Sequence, residues 1–255
     1  MELQIISFNI RCCNDPNGNS IAERAPRLHA VTSKYPADLI GFQEYRPAWE
    51  AYIAQYYGEE YEIFNKYRAR ERDVEGSPLL WRKEKFECLK TGYFWLSDTP
   101  EVESRGWDER FNCYRMCVYA VLKEKQSGTV FLFMNTHFGF GDNGQTASAK
   151  LVYDYRQKLK EYPAFVVGDF NMTPSSAGYA AMTAHFTDVN AATVNDLQRT
   201  YHGYDPSVPR DQHIDYCFTD GFVPVDQKIL TDTVDGGFPS DHYGLHITLR
   251  LPEEK

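Results

Sequence analysis

Val-Val-Gly-Asp-Phe-Asn, residues 166–171, closes an apolar run with a carboxylate and a carboxamide. Residues 164–167 have the composition of a buried strand, in which successive side chains point to opposite faces. If the strand persists beyond this run, Asp169 and Asn171 share one face and Phe170 points to the other. A Gly-Asp pair after a strand is often only a turn. Its meaning therefore depends on whether other parts of the chain repeat the pattern.

Similar polar clusters close other apolar runs along the whole chain. They are Ser-Phe-Asn-Ile-Arg (residues 7–11), Phe-Gln-Glu (42–44), Asn-Thr-His (135–137), Ile-Asp-Tyr (214–216) and Ser-Asp-His (240–242). Because these clusters are far apart in sequence, only a fold that gathers the ends of its strands brings them together. They supply carboxylates, carboxamides and histidines, the side chains that metal-assisted phosphoester hydrolysis requires.

The bulk composition describes an ordinary globular protein and sets limits on its partners. Hydrophobic residues make up 42% and charged residues 25% of the 255 residues, a length that can bury a sizeable core. No proline- or serine-rich linker, internal repeat or low-complexity tract divides the sequence, so we expect a single domain over residues 1–255. The formal net charge of -9 argues against a large, uniformly basic surface for nucleic acid, but it is compatible with a local basic groove.

The cysteines and the first residues bear on the location of the protein. The six cysteines, at positions 12, 13, 88, 113, 117 and 217, form no regular framework for disulfides or zinc, which favours free thiols in a reducing compartment. The chain begins in a strand-like segment without a basic leader, and it contains no apolar stretch long enough to span a membrane. We therefore expect a cytoplasmic protein with no membrane partner.

Hydrophobic periodicity predicts more strands than helices. The clearest strands are residues 3–10, 39–43, 77–81, 116–122, 129–134, 164–167, 214–218 and 245–251. The clearest helices are residues 22–34, 47–57 and 146–161. Short turns join many of the strands, which favours an α/β (α+β) fold of packed, mainly antiparallel sheets with helices outside. The mixed charge run at residues 68–75 predicts a solvated loop, and the glycine-rich residues 138–144 predict another loop.

The carboxylates and carboxamides of the clusters suit a divalent cation and a water molecule. Mg²⁺ and Mn²⁺ prefer oxygen ligands, usually one or two carboxylates completed by water. Glu44, Asn9 and Asp241 satisfy that requirement. Hydrolysis of a phosphoester also needs a water molecule in line with the leaving oxygen. Asp169 is the residue that we expect to orient or deprotonate this water, and Asn171 the residue that holds the water or the phosphate.

The histidines and two arginines complete the candidate site. His242 and His137 are the candidates to donate a hydrogen bond to a phosphate oxygen in the transition state. Asp215 is the natural partner to orient His242, since an acid next to an imidazole fixes the ring and its proton. Arg11 and Arg115 follow or begin strands and are candidates to bind phosphate through two nitrogens.

In this order, the clusters resemble the endonuclease/exonuclease/phosphatase superfamily. Its members include deoxyribonuclease I-like enzymes, abasic-site endonucleases, inositol polyphosphate 5-phosphatases and deadenylase-type exonucleases. The resemblance covers nearly the whole chain, from Ile6 to about Leu249. It implies a four-layer fold in which helices flank two central β-sheets, with the active site at one end of the sandwich.

The resemblance also implies a role for each polar residue. Glu44 is the principal metal ligand, aided by Asn9 and Asp241. Asp169 activates water, and Asn171 positions the substrate. The transition state is stabilised by His137 and His242.

The local sequence around the Gly-Asp motif indicates a branch and a function. Residues Gly168–Tyr179 resemble the deadenylase-type pattern, in which proline, serine and tyrosine follow the catalytic asparagine, within a bacterial member. The leading hypothesis is a Mg²⁺- or Mn²⁺-dependent nuclease, similar to 3′-to-5′ exonucleases, with RNA or DNA as substrate. A phosphatase or phosphodiesterase of a small phosphorylated metabolite or lipid headgroup is the alternative, which the acidic charge balance favours. A non-catalytic binding module on the same fold is a further alternative, and no obligate protein partner is evident.

Overall fold

The computed structural model describes residues 1–71, 74–209 and 212–252. Helices separate some of its strands, whereas other strands follow one another directly. In chain order they are β1 (Glu2–Asn9), α1 (Ile21–Thr32), β2 (Leu39–Gln43), α2 (Pro47–Tyr57), β3 (Tyr61–Phe64), β4 (Leu79–Arg82), β5 (Phe86–Trp95), β6 (Met116–Glu124), β7 (Val130–His137), α3 (Asp142–Gln157), β8 (Ala164–Asp169), α4 (Ala177–Thr183), β9 (Thr187–Asp188), α5 (Val189–Ala192), β10 (Asp215–Asp220), β11 (Val223–Leu230) and β12 (Gly244–Arg250).

Within these described ranges the strands form two six-stranded sheets. The first sheet has the order β11-β12-β1-β2-β4-β3, and the second has the order β5-β6-β7-β8-β10-β9. One parallel pair lies inside each sheet, β1 with β2 and β7 with β8. The remaining pairs of neighbouring strands are antiparallel. The sheets are therefore mixed and mainly antiparallel, as the sequence predicted.

Three hydrophobic clusters show that the sheets and helices form four layers. The largest cluster joins the facing sides of the two sheets, with Ile5 and Leu39 of the first sheet and Phe133 of the second among its members. A second cluster packs α3 and α4 on the outer side of the second sheet. A third packs α1 and α2 on the outer side of the first sheet. Burial of these apolar side chains is the main favourable contribution to folding, and the predicted sandwich is confirmed.

Two of the three predicted helices form close to their predicted bounds, and the third is displaced. Residues 47–57 are helical as predicted, and α1 covers most of residues 22–34. The third helix, predicted at residues 146–161, spans Asp142–Gln157 instead. Gly141 precedes it with a φ of 101°, a conformation that glycine adopts readily, so the chain turns into the helix earlier than the apolar spacing suggested.

The strands that periodicity missed include two at the edges of the sheets. The long strand β5 has mostly exposed or half-buried side chains in its middle, and its register shifts at Leu89. At one edge of the first sheet, β11 contains Pro224 and a second register shift. Edge strands commonly carry charges, proline and bulges because one side lacks a neighbouring strand. Their sequences therefore do not show the alternation that identifies a half-buried strand.

The cysteines and helices also bear on the expectations about location. All six cysteines are free thiols in the structure, as predicted. Among the described residues, none of the helices combines the length and the apolar character needed to cross a membrane.

One carboxamide connects the two sheets inside the core. Asn135 of β7 has no exposed surface. Its Nδ2 donates hydrogen bonds to the carbonyl oxygens of Phe42, at 2.8 Å, and Pro78, at 2.9 Å. Its Oδ1 accepts a hydrogen bond from Nε2 of Gln43 at 2.8 Å. The side chain thus satisfies backbone and side-chain groups of the opposite sheet that have no access to water.

We predict that Asn135→Leu lowers the free energy of unfolding by about 1–3 kcal/mol, because two buried carbonyl oxygens lose their donor. Chemical denaturation followed by circular dichroism measures this change. The matched control is Gln55→Leu, which removes a carboxamide from an exposed position of α2. Equal stabilities of the two variants would contradict the proposed contribution of Asn135.

Candidate active site

The order of the strands explains why the polar clusters meet at one end of the sandwich. The parallel pairs β1/β2 and β7/β8 end at the same edge of their sheets, and their antiparallel neighbours β12 and β10 begin there. The residues within or next to these strand ends are Asn9, Glu44, His137, Asp169, Asp215, Asp241 and His242. The structure brings all of these sequence-predicted residues together.

A cleft of about 610 Å³ opens at this end of the molecule. It is lined by Glu44, Asp169 and Asp241, by the histidines of the predicted site and by five arginines. Acidic groups that suit a metal ion and basic groups that suit a phosphate therefore face the same space. The volume lies in the range of sites that bind small molecules, which is roughly 300–1,000 Å³.

Asn9 joins the carboxylates of the two sheets. Its Nδ2 donates to Oε1 of Glu44 at 3.2 Å and to Oδ2 of Asp169 at 2.9 Å. Its Oδ1 accepts a hydrogen bond from the backbone N–H of Arg11 at 3.0 Å. A single buried carboxamide thus fixes the distance between a residue that follows β2 and a residue that ends β8.

The buried carboxylate of Glu44 keeps its negative charge. Burial opposes ionisation, but the positive charges of His137 and His242 and a hydrogen bond from the backbone N–H of Cys12 outweigh it and hold the pKa of Glu44 well below its usual range. The Cys12 nitrogen lies 2.9 Å from Oε2 of Glu44. Glu44 also has a φ of 59°, which turns the chain sharply after β2. A permanently charged carboxylate in this position suits a metal ligand.

Arg24 of α1 supports the loop that contacts Glu44, and the sequence analysis did not identify it. Its side chain has no exposed surface. The guanidinium donates to the carbonyl oxygens of residues 10, 11, 13 and 19, the bond to residue 13 measuring 2.6 Å. These bonds hold the segment whose N–H groups bind Asn9 and Glu44. The signal in the sequence was an arginine at a position of α1 where the helical spacing calls for an apolar side chain.

Asp241 and Glu44 approach the guanidinium of Arg11 from two sides. Nε of Arg11 lies 3.7 Å from Oδ2 of Asp241, and Nη1 lies 3.8 Å from Oε2 of Glu44. The hydrogen bonds of Arg11 go instead to Asp15, at 2.9 and 3.1 Å. Burial, together with the charge of Glu44, raises the pKa of Asp241. In this arrangement the positive charge of Arg11 compensates negative charge of Glu44 and Asp241. Its Nε and Nη2 already donate hydrogen bonds to Asp15.

His242 and Asp215 form a buried pair. Nδ1 of His242 lies 2.9 Å from Oδ2 of Asp215, and Nε2 lies 3.8 Å from Oδ2 of Asp169. Burial alone would lower the pKa of His242, but the charge and hydrogen bond of Asp215 raise it to about 10. The imidazole therefore carries a proton on the side that faces Asp169 at neutral pH. For Asp169 itself, burial is the main cause that raises the pKa, with the charge of Asp215 adding to it.

His137 has an acidic neighbour that the sequence analysis missed. Nε2 of His137 lies 3.5 Å from Oδ2 of Asp169, and Nδ1 lies 3.6 Å from Oε1 of Glu75. Glu75 is buried and forms an ion pair with Arg68, which is buried too. The prediction of a solvated loop is therefore wrong for both ends of the charge run, because these opposite charges pair with each other inside the protein. A mixed charge run conceals such a pair unless the spacing of its members in three dimensions is known.

Asn171 reaches the cleft by a turn rather than by extension of the strand. The strand β8 ends at Asp169, and Asn171 has a φ of 50°. The predicted alternation of side chains therefore does not continue to Asn171. Its backbone N–H donates to Oδ1 of Asp169 at 2.9 Å, and its Nδ2 donates to the carbonyl oxygen of Phe138 at 2.9 Å. The two polar residues still lie together, held by a hydrogen bond instead of by the pleat.

Arg115 lines the same cleft from the start of β6. Its Nε and Nη2 bind Oδ2 of Asp108, at 3.0 and 2.9 Å. Nη1 is buried and has no hydrogen-bond partner among the described residues. Buried polar groups normally have a partner. An unpaired donor beside a cleft is therefore a place for a ligand oxygen.

The donor chemistry of the site fits a hard divalent cation. The carboxylates of Glu44 and Asp241 and the carboxamide of Asn9 offer oxygen atoms, which Mg²⁺ and Mn²⁺ prefer. Each oxygen of Glu44 accepts one hydrogen bond, and Oδ1 of Asp241 accepts one from Ser240, which leaves further oxygen lone pairs of both carboxylates available. The residues present therefore fit the divalent cation, Mg²⁺ or Mn²⁺, that the sequence predicted.

A second set of side chains has the spacing of a metal site. Ligand atoms of Asp169, Asp215 and His242 lie within 4.8 Å of one another. However, Nδ1 of His242 and Oδ2 of Asp215 are already joined by a hydrogen bond. That contact fits an acid–imidazole pair better than two separate metal ligands.

Comparison with known proteins agrees with this geometry. A family profile described as the Endonuclease/Exonuclease/phosphatase family matches residues 6–242. Among curated proteins, no match to the chain was found.

Solved structures of similar proteins come from several organisms. A protein of this family from Bacteroides thetaiotaomicron has a TM-score of 0.90 and 27% identity, over 99% of each chain. A mannosyl-6-phosphatase from the same organism has a TM-score of 0.87 and 28% identity, over 97% of this chain and 99% of its own. TDP2 from Danio rerio, complexed with a single-stranded DNA product, has a TM-score of 0.73 and 19% identity, over 98% of this chain and 99% of its own, a likeness of fold alone. The family match spans most of the chain and includes every residue of the strand-end cluster, and the chain therefore belongs to the endonuclease/exonuclease/phosphatase family of phosphoester hydrolases.

Proposed function

We propose that this protein hydrolyses the phosphate ester of a small phosphorylated metabolite with the help of Mg²⁺ or Mn²⁺. The observation that supports the proposal is the convergence of three carboxylates, Glu44, Asp169 and Asp241, and two histidines on one cleft of about 610 Å³. A cleft of this volume suits a small ligand, and the net charge of -9 does not favour a long polyanion. The likeness to a mannosyl-6-phosphatase, at 28% identity, supports the same class of substrate.

Glu44, Asp241 and Asn9 would hold the cation. When bound, the cation polarises a phosphoryl oxygen and neutralises charge that develops on it. Glu44 remains charged without it, whereas Asp241 gains the charged form more readily when a cation lies nearby. Binding of the cation and loss of the proton from Asp241 are therefore linked.

Asp169 is the proposed base, and His242 is the proposed donor to the phosphate. Asp169 takes a proton from water as the water oxygen forms a bond to phosphorus and the bond from phosphorus to the ester oxygen breaks. The ester oxygen leaves with the electron pair of the broken bond and takes a proton from solvent to give the alcohol, and inorganic phosphate is the second product. His242, kept protonated by Asp215, donates to a phosphoryl oxygen as charge builds on it. A raised pKa at Asp169 makes this carboxylate a stronger base than an exposed aspartate.

The remaining residues are proposed to position the substrate. His137 also lies close to Oδ2 of Asp169 and would donate to a second phosphoryl oxygen. Glu75 would orient the His137 ring. Asn171 would hold the phosphate or the attacking water at the edge of the site. Arg115 would bind the substrate through its unpaired Nη1. Arg11 would chiefly compensate the charge of the acidic residues, because its Nε and Nη2 already donate hydrogen bonds to Asp15.

A nuclease resembling 3′-to-5′ exonucleases is the second candidate. The Gly168–Tyr179 stretch favours it, and so does the shared fold of TDP2 bound to single-stranded DNA. A panel of labelled RNA, labelled single- and double-stranded DNA and small phosphate esters separates the two candidates. If phosphate is released from the small esters and from no nucleic acid, the result supports a phosphatase of a small metabolite. Stepwise shortening of an oligonucleotide supports the nuclease.

We predict that Asp169→Asn lowers kcat by about 10²- to 10⁴-fold with a small phosphate ester, because the variant cannot accept the proton of water. Release of inorganic phosphate in Mg²⁺ or Mn²⁺, with a chelator as blank, measures the change. Asp154→Asn, on the outer helix α3, is the matched control and should retain wild-type activity. An Asp169→Asn enzyme that keeps a tenth of the wild-type rate would exclude Asp169 as the base.

We predict that Glu44→Gln raises the dissociation constant for Mn²⁺ at least tenfold, because the site loses a charged oxygen ligand. Titration calorimetry of the protein without substrate measures the affinity directly, apart from activity. Glu60→Gln replaces an exposed carboxylate at a remote position and should bind Mn²⁺ like the wild type. Unchanged affinity in Glu44→Gln would place the cation elsewhere.

A further inference from the structure

An aromatic pair with an arginine borders the cleft, and we refer to Arg110, Phe111 and Phe140 as the mouth cluster. All three residues line the cleft. The rings of Phe111 and Phe140 meet edge to face, with centroids 5.4 Å apart and an interplanar angle of 78°. The guanidinium carbon of Arg110 lies 4.9 Å from the centroid of Phe111 and 5.1 Å from that of Phe140. Phe111 nevertheless remains 56% exposed, which is unusual for so large an apolar side chain.

Backbone contacts fix the place of the mouth cluster. Oδ1 of Asp108 accepts hydrogen bonds from the backbone N–H groups of Arg110, at 3.0 Å, and Phe111, at 2.9 Å. The backbone N–H of Glu109 donates to the carbonyl oxygen of Phe140 at 3.0 Å. The segment that carries Arg110 and Phe111 is thereby tied to the glycine-rich segment that carries Phe140.

The close contact of these two segments depends on glycine. A Cβ atom on Gly139 would lie 2.9 Å from Cα of Asp108, and a Cβ atom on Gly144 would lie 1.8 Å from the carbonyl oxygen of Trp107. Both distances are too short for real side chains. The glycine-rich sequence after His137 therefore serves to bring the mouth cluster together.

The same Asp108 also holds Arg115, which connects the mouth cluster to the interior of the cleft. Oδ2 of Asp108 accepts from Nε of Arg115, while Oδ1 binds the backbone of the mouth cluster. The buried Nη1 of Arg115 has no partner among the described residues. One carboxylate thus fixes both an unpaired donor in the cleft and an exposed ring at its mouth. An exposed ring and an unpaired buried donor on one cleft indicate a ligand that contacts both.

We infer that the mouth cluster and Arg115 form a subsite for the leaving group, and that this group is a hexose ring. A pyranose has an apolar C–H face that packs on a phenyl ring and hydroxyl oxygens that accept hydrogen bonds from guanidinium groups. The subsite offers donors through Arg110 and Arg115, so it suits a ligand rich in acceptors. A nucleobase would also stack on a phenyl ring or a guanidinium group, but the likeness to a mannosyl-6-phosphatase favours the hexose. The inference rests on the proposed hydrolysis of a small phosphate ester.

The test compares two substrates that differ in their leaving group. Hexose 6-phosphate carries the ring, whereas glycerol 3-phosphate presents the same phosphate ester without it. In Phe111→Ala we expect kcat/KM for the hexose phosphate to fall about tenfold, mainly through a higher KM, because the ring contact is lost. The value for glycerol 3-phosphate should change less than twofold. Leu89→Ala removes a similarly exposed side chain from the edge strand β5, away from the cleft, and should behave like the wild type.

The outcomes separate the subsite from the catalytic proposal. Metal-dependent hydrolysis of both esters, with equal effects of Phe111→Ala on each, would overturn the subsite and leave the proposed function standing. Absence of hydrolysis of every small ester by the wild type would overturn both. A selective loss with a nucleoside 5′-monophosphate in place of the hexose phosphate would keep a subsite at this position but overturn its assignment to a hexose.

Discussion

The hydrogen bonds of Asn9 hold the cleft end of the molecule in one arrangement. The carboxamide donates from the same nitrogen to Glu44, which follows a strand of the first sheet, and to Asp169, which ends a strand of the second. A hydrogen bond to a charged group contributes about 1.5–3 kcal/mol. Neither carboxylate can move far without losing its hydrogen bond to Asn9. Hydrogen bonds of Asn135 join the two sheets deeper in the core, and those of Asn9 link the groups of both sheets that face the cleft.

Unequal proton affinities follow from this close packing of acids. Carboxylates brought out of water tend to take up a proton unless a positive charge or N–H donor compensates. Glu44 is compensated by two histidines and a backbone N–H, so its pKa falls. Asp169 is buried in the same region, but its pKa rises. Neighbouring titratable groups whose pKa values shift in opposite directions commonly have different roles in catalysis.

The sequence predicted most of the fold, and its failures have local causes. Buried strands such as β2 were found because their residues, Gln43 apart, are apolar or small and turn residues bound them. The edge strands β5 and β11 were missed because one side of each has no neighbour, which permits charges and proline. The third helix was displaced because a glycine with positive φ begins it, and a conformation of that kind leaves no mark in the spacing of apolar residues.

The candidate site was predicted as a set of residues but not as a network. Strand-end polar residues such as Glu44 and Asp169 were recognisable because each closes an apolar run. Arg24 and Glu75 escaped notice because they act through partners that are distant in sequence, the carbonyl groups of one loop and the His137 ring. Charged residues of this kind look like surface residues until their burial is known.

The location of Arg110, Phe111 and Phe140 on connecting segments has a consequence for how the protein can change. The acids and histidines lie within or next to the ends of core strands, where a shift of one residue would disrupt the packing of two sheets. The rings at the opening belong to connecting segments, which generally vary more among related proteins than core strands do. Mutation can therefore alter which molecules are admitted while the groups that cleave the ester remain in place. A scaffold with this separation is well suited to diverge into enzymes that share one reaction and differ in the compounds they consume.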